Sequence, residues 1–559
     1  MFFRIQKKPS GNYLTLAQTY RENGKIKHQH IASLGRVDKL NQNGTLYKLA
    51  QKLLQLSNQR NHYDISTMEE EDRRLWGPVA VVKAVWKQFK LDNFFQKIVQ
   101  DKKIQYKLVS CLFLLALDRI MQPQSRLQSW HNQHKWWELE EVELHQLYRA
   151  LDVAAGCKQK LEDHLFQCQK TLFGMRVEVV LYDVTTLFFE SVQPDEDEEG
   201  LKDFGYSKDG KSGEVQVVFG LLLNSEGRPI GFEAFRGNTY EGHTLEQVVG
   251  DLKKRFEIQR VVVVADRGML SEANLKRLED LGYEYIVGYR LKSAKKQIQQ
   301  QALDPEGYQY FGQAPASSSS PSAAQQQESQ QNSSSCSSDP SELCRYKQIQ
   351  LEGGRKLLVV YSPQRAKKEK QDRQRLIDKA QQVIEKGQVK ARLSRGTMRY
   401  VDISTDQKPQ LAQQKIEEDE KWDGYYAILS NTKDLSGPAI WRQYRELWKI
   451  EQAFRNFKHH MELRPMFVWT TKRIMGHLTV AFLAYVLQKH ILLTLEEQGI
   501  HISEQQLRQT LADLQVSTLQ IEGETFLLRS KVSSQARSIL KTFGVSIPPS
   551  LTQKENFKV

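Results

Sequence analysis

Two aspartates in this 559-residue chain close short apolar runs: Asp183 ends VEVVLYD and Asp266 ends RVVVVAD. A carboxylate set straight after a buried strand is rigidly aimed, as metal-ion catalysis requires of its ligands. Taken singly, such an acid more often caps a helix or closes a turn. A third acid, Glu451, lies in WRQYRELWKIEQAFRNFKHH. At about 100° per residue, Tyr444, Glu451 and Lys458 are spaced by sevens, so each lies about 20° from the next on one face. Arg455, four residues after the glutamate, joins that stripe. An acid flanked by Tyr, Arg and Lys is not a plain solvated face, although an amphipathic helix with i,i+4 charge pairs has the same spacing.

The elements that must position these acids follow from the hydrophobic period. VEVVLYD reads as a strand, and EVQVVFGLLLN and PIGFEAFRG follow as two more, joined by a turn at Ser225-Glu226-Gly227. Thr244 to Ile258 reads as a helix capped by Thr244, RVVVVAD as a fourth strand, Ser271 to Leu281 as a helix capped by Ser271, and YEYIVGYR as a fifth strand. The order β-β-β-α-β-α-β specifies an α/β, ribonuclease-H-like mixed sheet. In it the strands ending in Asp183 and Asp266 are neighbours, with both acids where ligands meet open sheets.

The core, residues 176–290, is expected to be preceded by two units. Residues 1–38 form a small β-rich module, with Arg4, Lys7, Lys8, Lys25, Lys27 and His28 on its strands, and 39–175 form an all-α region whose residues do not state a role, a candidate for DNA binding or dimerisation. An insertion over 291–425 interrupts the core. It contains a Ser/Gln-rich segment at 314–342 too polar to build a core. Residues 426–495 complete the core with the Glu451 helix, and 496–559 are expected to be C-terminal helices.

Lys plus Arg number 80 against 67 Asp plus Glu, and the net charge of +13 suits a polyanionic partner such as nucleic acid as well as it suits a basic protein that binds none. The five cysteines form no CxxC pair or zinc spacing, which suits a reducing compartment. The N-terminal residues carry no signal-peptide pattern, and Gln488, Lys489 and His490 interrupt the apolar stretch Leu478 to Leu495. A buried amphipathic helix, no membrane span and a cytoplasmic, nucleoid-associated protein are the expectations.

Several stretches carry a family resemblance over most of the chain. YDVTTLFFES, FGYSKDGKSGEVQVVFGLLLNSEGRPIGFEAFRGNTYEGHTL, VVVVADRGMLSEANL and YRELWKIEQAFRNFK resemble bacterial insertion-sequence transposases of the DDE class, in the subgroup with a Y-x2-R-x3-E-x6-K signature. NYLTLAQTYRENGKIKHQHIASLGR and ELRPMFVWTTKRIMGHLTVAFLAYVL are similar to the same family. The resemblance implies that Asp183, Asp266 and Glu451 hold two Mg2+ ions, with Mn2+ able to substitute. It implies cleavage at the element's terminal inverted repeats and joining of the 3′-OH to double-stranded target DNA, by a homodimer holding two ends. Tyr444, Arg455, Lys458, Lys208 and Lys211 are the implied DNA contacts. Leu447 stands where the signature has Arg, so Arg455 is the candidate for that phosphate contact, and the family's clamp on the transposon end is not carried over.

Other residues are weaker candidates. His243, Arg267 and Gly268 belong to loops near the acids. Glu190 and the run Asp195 to Glu199 read as solvated acids. The basic run Arg365 to Arg375 suits either a DNA backbone or a salt-bridged solvent helix. Two other functions fit parts of the pattern. A ribonuclease-H-like nuclease would cut without strand transfer, and a DNA-binding protein with lost catalysis would lack one of the three acids.

Overall fold

The computed structural model describes residues 1–557 except 23, 57–64, 173, 176, 206–212, 241–243, 245–247, 249–261, 267–270, 312–343, 386–394 and 403–408. Most of the expected helix from Thr244, together with His243, Arg267, Gly268, Lys208, Lys211 and the Ser/Gln segment, lies outside the described residues. The chain divides into two compact units, one of residues 1–74, 515–531 and 548–558, the other of 75–514 and 532–547 with the last residue.

In the first unit, β1 (Phe2–Lys8), β2 (Gly11–Glu22) and β3 (Lys25–Arg36) form an antiparallel sheet in that order. Gly11 and Gly24, both at positive φ, let the two turns close without a Cβ penalty. A fourth strand, β4 (Glu69–Leu75), leads out of this region.

The helical region that follows runs through helices Gly77–Gln88, Leu91–Asp101, Leu108–Met121, Arg126–Asn132, Leu144–Gly156 and Lys158–Leu172. Leu108–Met121 is buried along nearly its whole length, as its continuous apolar sequence requires.

The second unit's sheet has nine strands. They are β5 (Val179–Phe188), β6 (Gln216–Asn224), β7 (Pro229–Arg236), β8 (Val262–Ala265), β9 (Glu284–Tyr289), β10 (Gln309–Tyr310), β11 (Arg345–Gln350), β12 (Lys356–Tyr361) and β15 (Tyr425–Ser430). Their order is β10-β11-β12-β15-β9-β8-β5-β6-β7. Strands β5, β6 and β7 are joined antiparallel, whereas β8 lies parallel to β5 and β9 parallel to β8. That is the ribonuclease-H-like core. β15, where the core resumes after the insertion, pairs with β9, and the insertion's own strands extend the sheet from it, β12 pairing with β15 and β11 with β12. Among the described strands of the insertion, β13 (Val401–Asp402) and β14 (Gln410–Leu411) form a separate two-stranded ribbon.

The sheet's faces differ. One face presents Val180, Tyr182, Val184, Val218, Leu222, Val263 and Ala265 to a core that includes Leu275 and Leu278 of the helix Glu272–Asp280. Alternation along the strands puts Leu181, Asp183, Thr185, Phe219 and Leu221 on the other face. Helices after the insertion cover that second face: Gly437–Arg445 packs on β8, β9 and β15, and Trp448–Arg455 on β5 and β6.

The long helix Thr471–Glu497 departs from the expected one-sided pattern, because Gly476 through Gln488 are buried on every side. It is long and apolar enough to cross a membrane, and 78% of its most apolar window is buried inside the protein. Residues 496–559 are also not purely helical. Besides helices Glu504–Ala512 and Ser534–Thr542, they form β16 (Gln515–Ile521), β17 (Glu524–Arg529) and β18 (Leu551–Gln553), which belong to the first unit and make its sheet β18-β17-β16-β4. The two-residue turn Glu522-Gly523, both residues at positive φ, closes the β16–β17 hairpin.

Candidate active site

Asp183 sits within β5 rather than at its end, since the strand runs on to Phe188. It marks instead the place where pairing with β8 stops. Val179 pairs with Val262 and Leu181 with Val264, and the same offset carried two residues further brings Asp183 level with Asp266, the residue that follows β8. Paired residues of neighbouring strands share a face, so both carboxylates belong to the face covered by the late helices. Asp183 is half-buried, and its Oδ1 accepts a hydrogen bond from the Val184 N–H at 2.8 Å, which fixes the carboxylate. Asp266 is exposed.

Glu451 is exposed on the helix Trp448–Arg455, and the opposite side of that helix is anchored. Ile450, Ala453 and Phe454 are buried, and Phe454 meets Phe219 of β6 edge-on with ring centroids 6.3 Å apart. Phe219 pairs with Thr185, two residues from Asp183, so the helix is pinned to the face that carries the aspartates. Among the described residues, no three His, Cys, Asp or Glu side chains are gathered closely enough to hold a metal ion. Asp183 and Asp266 share the face against which the Glu451 helix packs, and all three offer the oxygen chemistry that hard divalent cations prefer.

The predicted single helix from Tyr444 to Lys458 is interrupted twice. Between Gly437–Arg445 and Trp448–Arg455 the backbone tightens: Glu446, Leu447, Lys449 and Ile450 each donate to the carbonyl three residues back. Such turns rotate the chain about 20° more per residue than an α-helix, which carries Tyr444 off the Glu451 face. After Arg455 the helix widens into a π-turn over Asn456–His460, with Met461 N donating to Asn456 O at 2.8 Å, and Lys458 is half-buried in it. Only Arg455, exposed and one turn from Glu451, shares an undistorted helix with the acid.

One exposed aromatic on this helix, Trp448, is absent from the expected site. A tryptophan three residues before the acid, on a helix otherwise polar outside, was the available signal. The acidic loop also differs from a plain solvated run. Asp195 accepts from Lys202 N and pairs with Lys202 Nζ at 3.0 Å, while Arg236 binds Asp203 at 2.7 Å and the Asp195 and Asp197 carbonyls. In the basic run, Arg365 pairs with Glu369, Arg373 with Asp423 and Arg375 with Asp372, leaving Lys367, Lys368 and Lys370 exposed.

Residues 178–487 match the family described as transposase DDE domain, and residues 3–67 match the IS1634 family transposase N-terminal domain. Among curated proteins, none matches the chain significantly. Among solved structures, the chain is similar to a piggyBac transposase synaptic complex with hairpin DNA, at 10% identity over 87% of this chain and 80% of that one, with a TM-score of 0.35. It is also similar to a Mos1 transposase paired-end complex with left transposon end, at 14% identity over 35% of this chain and 57% of that one, TM-score 0.14. Against the Mos1 mariner paired-end complex with Mn, identity is 15% over 32% and 58% of the two chains, TM-score 0.14. Likenesses this distant leave the assignment to the sequence matches. The DDE match spans more than half of the residues and the amino-terminal match adds the insertion-sequence type, so the chain belongs to the DDE transposases, the polynucleotidyl transferases of insertion sequences.

Proposed function

We propose that Asp183, Asp266 and Glu451 are the catalytic acids, and that the protein cuts at the ends of its own element and joins the freed 3′-OH to target DNA. The observation that carries this reading is the register of β5 and β8, which sets the aspartates level on the face where the Glu451 helix is anchored. Three carboxylates are the donor set of a pair of Mg2+ ions, for which Mn2+ is a competent substitute. When bound, such ions stabilise charge on the attacking and leaving oxygens of a phosphodiester.

The protein's own part is positional. The Val184 N–H holds the Asp183 carboxylate, and the buried side of the Trp448–Arg455 helix holds Glu451 toward solvent. Arg455 is the foremost candidate to grip a phosphate beside the acid. Lys458, Tyr444, Lys208 and Lys211 belong to the wider DNA contact set, with Trp448 available to stack on a base. The basic strands of residues 1–38 suit the bound element end. A homodimer holding two terminal repeats, acting at the nucleoid in the cytoplasm, completes the reading.

The decisive experiment is Mg2+-dependent cleavage and strand transfer on the element's terminal repeats, comparing wild type with Glu451→Gln. Continued cutting by the mutant removes Glu451 from the site. Cutting without joining by the wild type makes the protein a nuclease.

A further inference from the structure

The helical region and the chain that leaves the π-turn enclose a cavity of about 160 Å³. Three arginines line it, and two of them, Arg119 and Arg126, are only 5% and 7% exposed. Their hydrogen bonds run to carbonyls and an imidazole. Arg119 Nη1 donates to Met461 O at 2.7 Å and Glu462 O at 3.4 Å, while Arg126 donates to Gln124 O at 3.3 Å and to His477 Nδ1. Among the described residues, the buried Arg126 Nε finds no hydrogen-bond partner.

Buried guanidinium groups are normally paired with an acid, because an uncompensated buried charge is costly. Here burial pushes Arg119 down to about 9 and Arg126 to about 10, and it holds His477 neutral, with its pKa far below the ordinary histidine value. Two acids stand nearby. Asp118 is 2% exposed, takes the Trp136 indole N–H at 2.9 Å and is pushed up to about 6 by burial. Glu462 lines the cavity from an exposed position. Arg464 adds a third cation to the wall, so cations outnumber acids even when both are ionised.

We propose that this cavity is a binding site for a phosphate group, gripped by Arg119, Arg126 and Arg464, with the Ser125 and Tyr148 hydroxyls on the same wall. Guanidinium forks match the oxygens of phosphate bidentately, and a tetrahedral oxyanion supplies an acceptor to the Arg126 N–H that lacks one. The phosphate belongs to the DNA backbone or to a free phosphate ion, and the recognising chemistry is the same for both. The site is separate from the three acids and stands whether or not they cut DNA.

The test is calorimetric titration of the full-length protein with inorganic phosphate at constant ionic strength. A saturable isotherm is expected, weakened at least roughly tenfold in Arg126→Met, the size of one lost charge-assisted contact. Arg464→Gln, at a half-buried position, is expected to weaken it as well and serves if Arg126→Met fails to fold. Loss of the isotherm when duplex DNA is saturating upholds the site with a backbone phosphate as occupant; persistence upholds it with free phosphate. A wild-type isotherm flat into the millimolar range, or one that both variants leave unchanged, overturns it.

Discussion

Phe454 meets Phe219 edge-on at 6.3 Å, and through that contact the helix bearing Glu451 is fixed to the strand beside Asp183. Phe219 also touches Phe232 at 5.6 Å and Phe457 at 5.4 Å, so one ring on β6 organises an aromatic cluster beneath the acid face. Phe219→Ala is expected to cost about 3–5 kcal/mol. Phe454→Leu is expected to cost less, yet to lower strand transfer more than its loss of stability explains. Denaturant unfolding and a joining assay on the same preparations separate the two effects. Equal activity per folded molecule in Phe454→Leu would remove the contact from the account of the site.

The acids themselves give a prediction independent of catalysis. On the proposed assignment the three acids bind a divalent cation, and a ligand bound only by the folded chain stabilises it. Millimolar Mg2+ or Mn2+ should therefore raise the thermal midpoint of the wild type. The rise should shrink in Asp183→Asn and in Glu451→Gln, and chelation should reverse it. An equal rise in all three proteins would place the cation elsewhere.

Burial of His490 sets a pH response. The ring is 5% exposed, faces Gln88 Oε1 at 3.2 Å and stands edge-on to Phe89, and burial lowers its pKa to about 4. A histidine depressed on folding binds its proton more readily in the unfolded chain, so its contribution is intact above about 6.5 and is lost as pH falls toward 4. Asp118 runs the other way: with its carboxyl raised to about 6 from 3.8, stability declines as pH rises across that interval. His477, also depressed, tips the balance toward loss on acidification. In unfolding midpoints measured between pH 4.5 and 7, His490→Gln should flatten the acid side of the profile by about 2–4 kcal/mol at most. An unchanged slope would contradict the assignment.

Gly476 is where the long helix passes another backbone. A Cβ there would come within 2.0 Å of the Leu151 carbonyl oxygen and 2.9 Å of Leu151 Cα. No side chain can swing away to make room, so Gly476→Ala should cost about 3 kcal/mol or more, against its usual gain in helix propensity. Chemical denaturation is the measurement, and a stabilised variant would refute the close crossing.

Sheet pairing on either side of the Ser/Gln stretch gives a deletion test. Tyr310 pairs with Arg345 and Gln309 with Tyr346, so the flanks of residues 312–343 are already neighbours. Replacing 314–342 with a short Gly/Ser linker should leave the unfolding midpoint within about 0.5 kcal/mol of wild type, since closing a shorter loop costs little. A large loss would mean that the segment contributes to folding.

Much of the core could be read from residues because its signals are local. Apolar runs that stop at Asp183 and Asp266, with turn residues between β6 and β7, specify strands and their order before any contact is known. The insertion's role was not legible. KLLVVY over β12 has the same local pattern whether it builds a separate module or pairs with β15, and pairing is a long-range choice. The break at Glu446-Leu447 carries no Gly or Pro to announce it, so helical arithmetic ran straight through it. The terminal hairpin did announce itself, through alternation in QVSTLQI and the Glu522-Gly523 turn, and reading the region as helical overlooked that signal. Arg119 and Arg126 look like ordinary helix cations in sequence, and only tertiary burial sets them apart.

The helix Thr471–Glu497 has a consequence for how the protein is made. As it leaves the ribosome it is a long apolar segment of the kind that membrane-insertion machinery captures. The elements it packs against most extensively, the helices Leu144–Gly156, Leu108–Met121 and Gly77–Gln88 together with strand β7, are all synthesised before it. Its receptor can therefore be standing when it emerges, and the interval during which it is open to capture is set by the speed of docking rather than by the speed of translation.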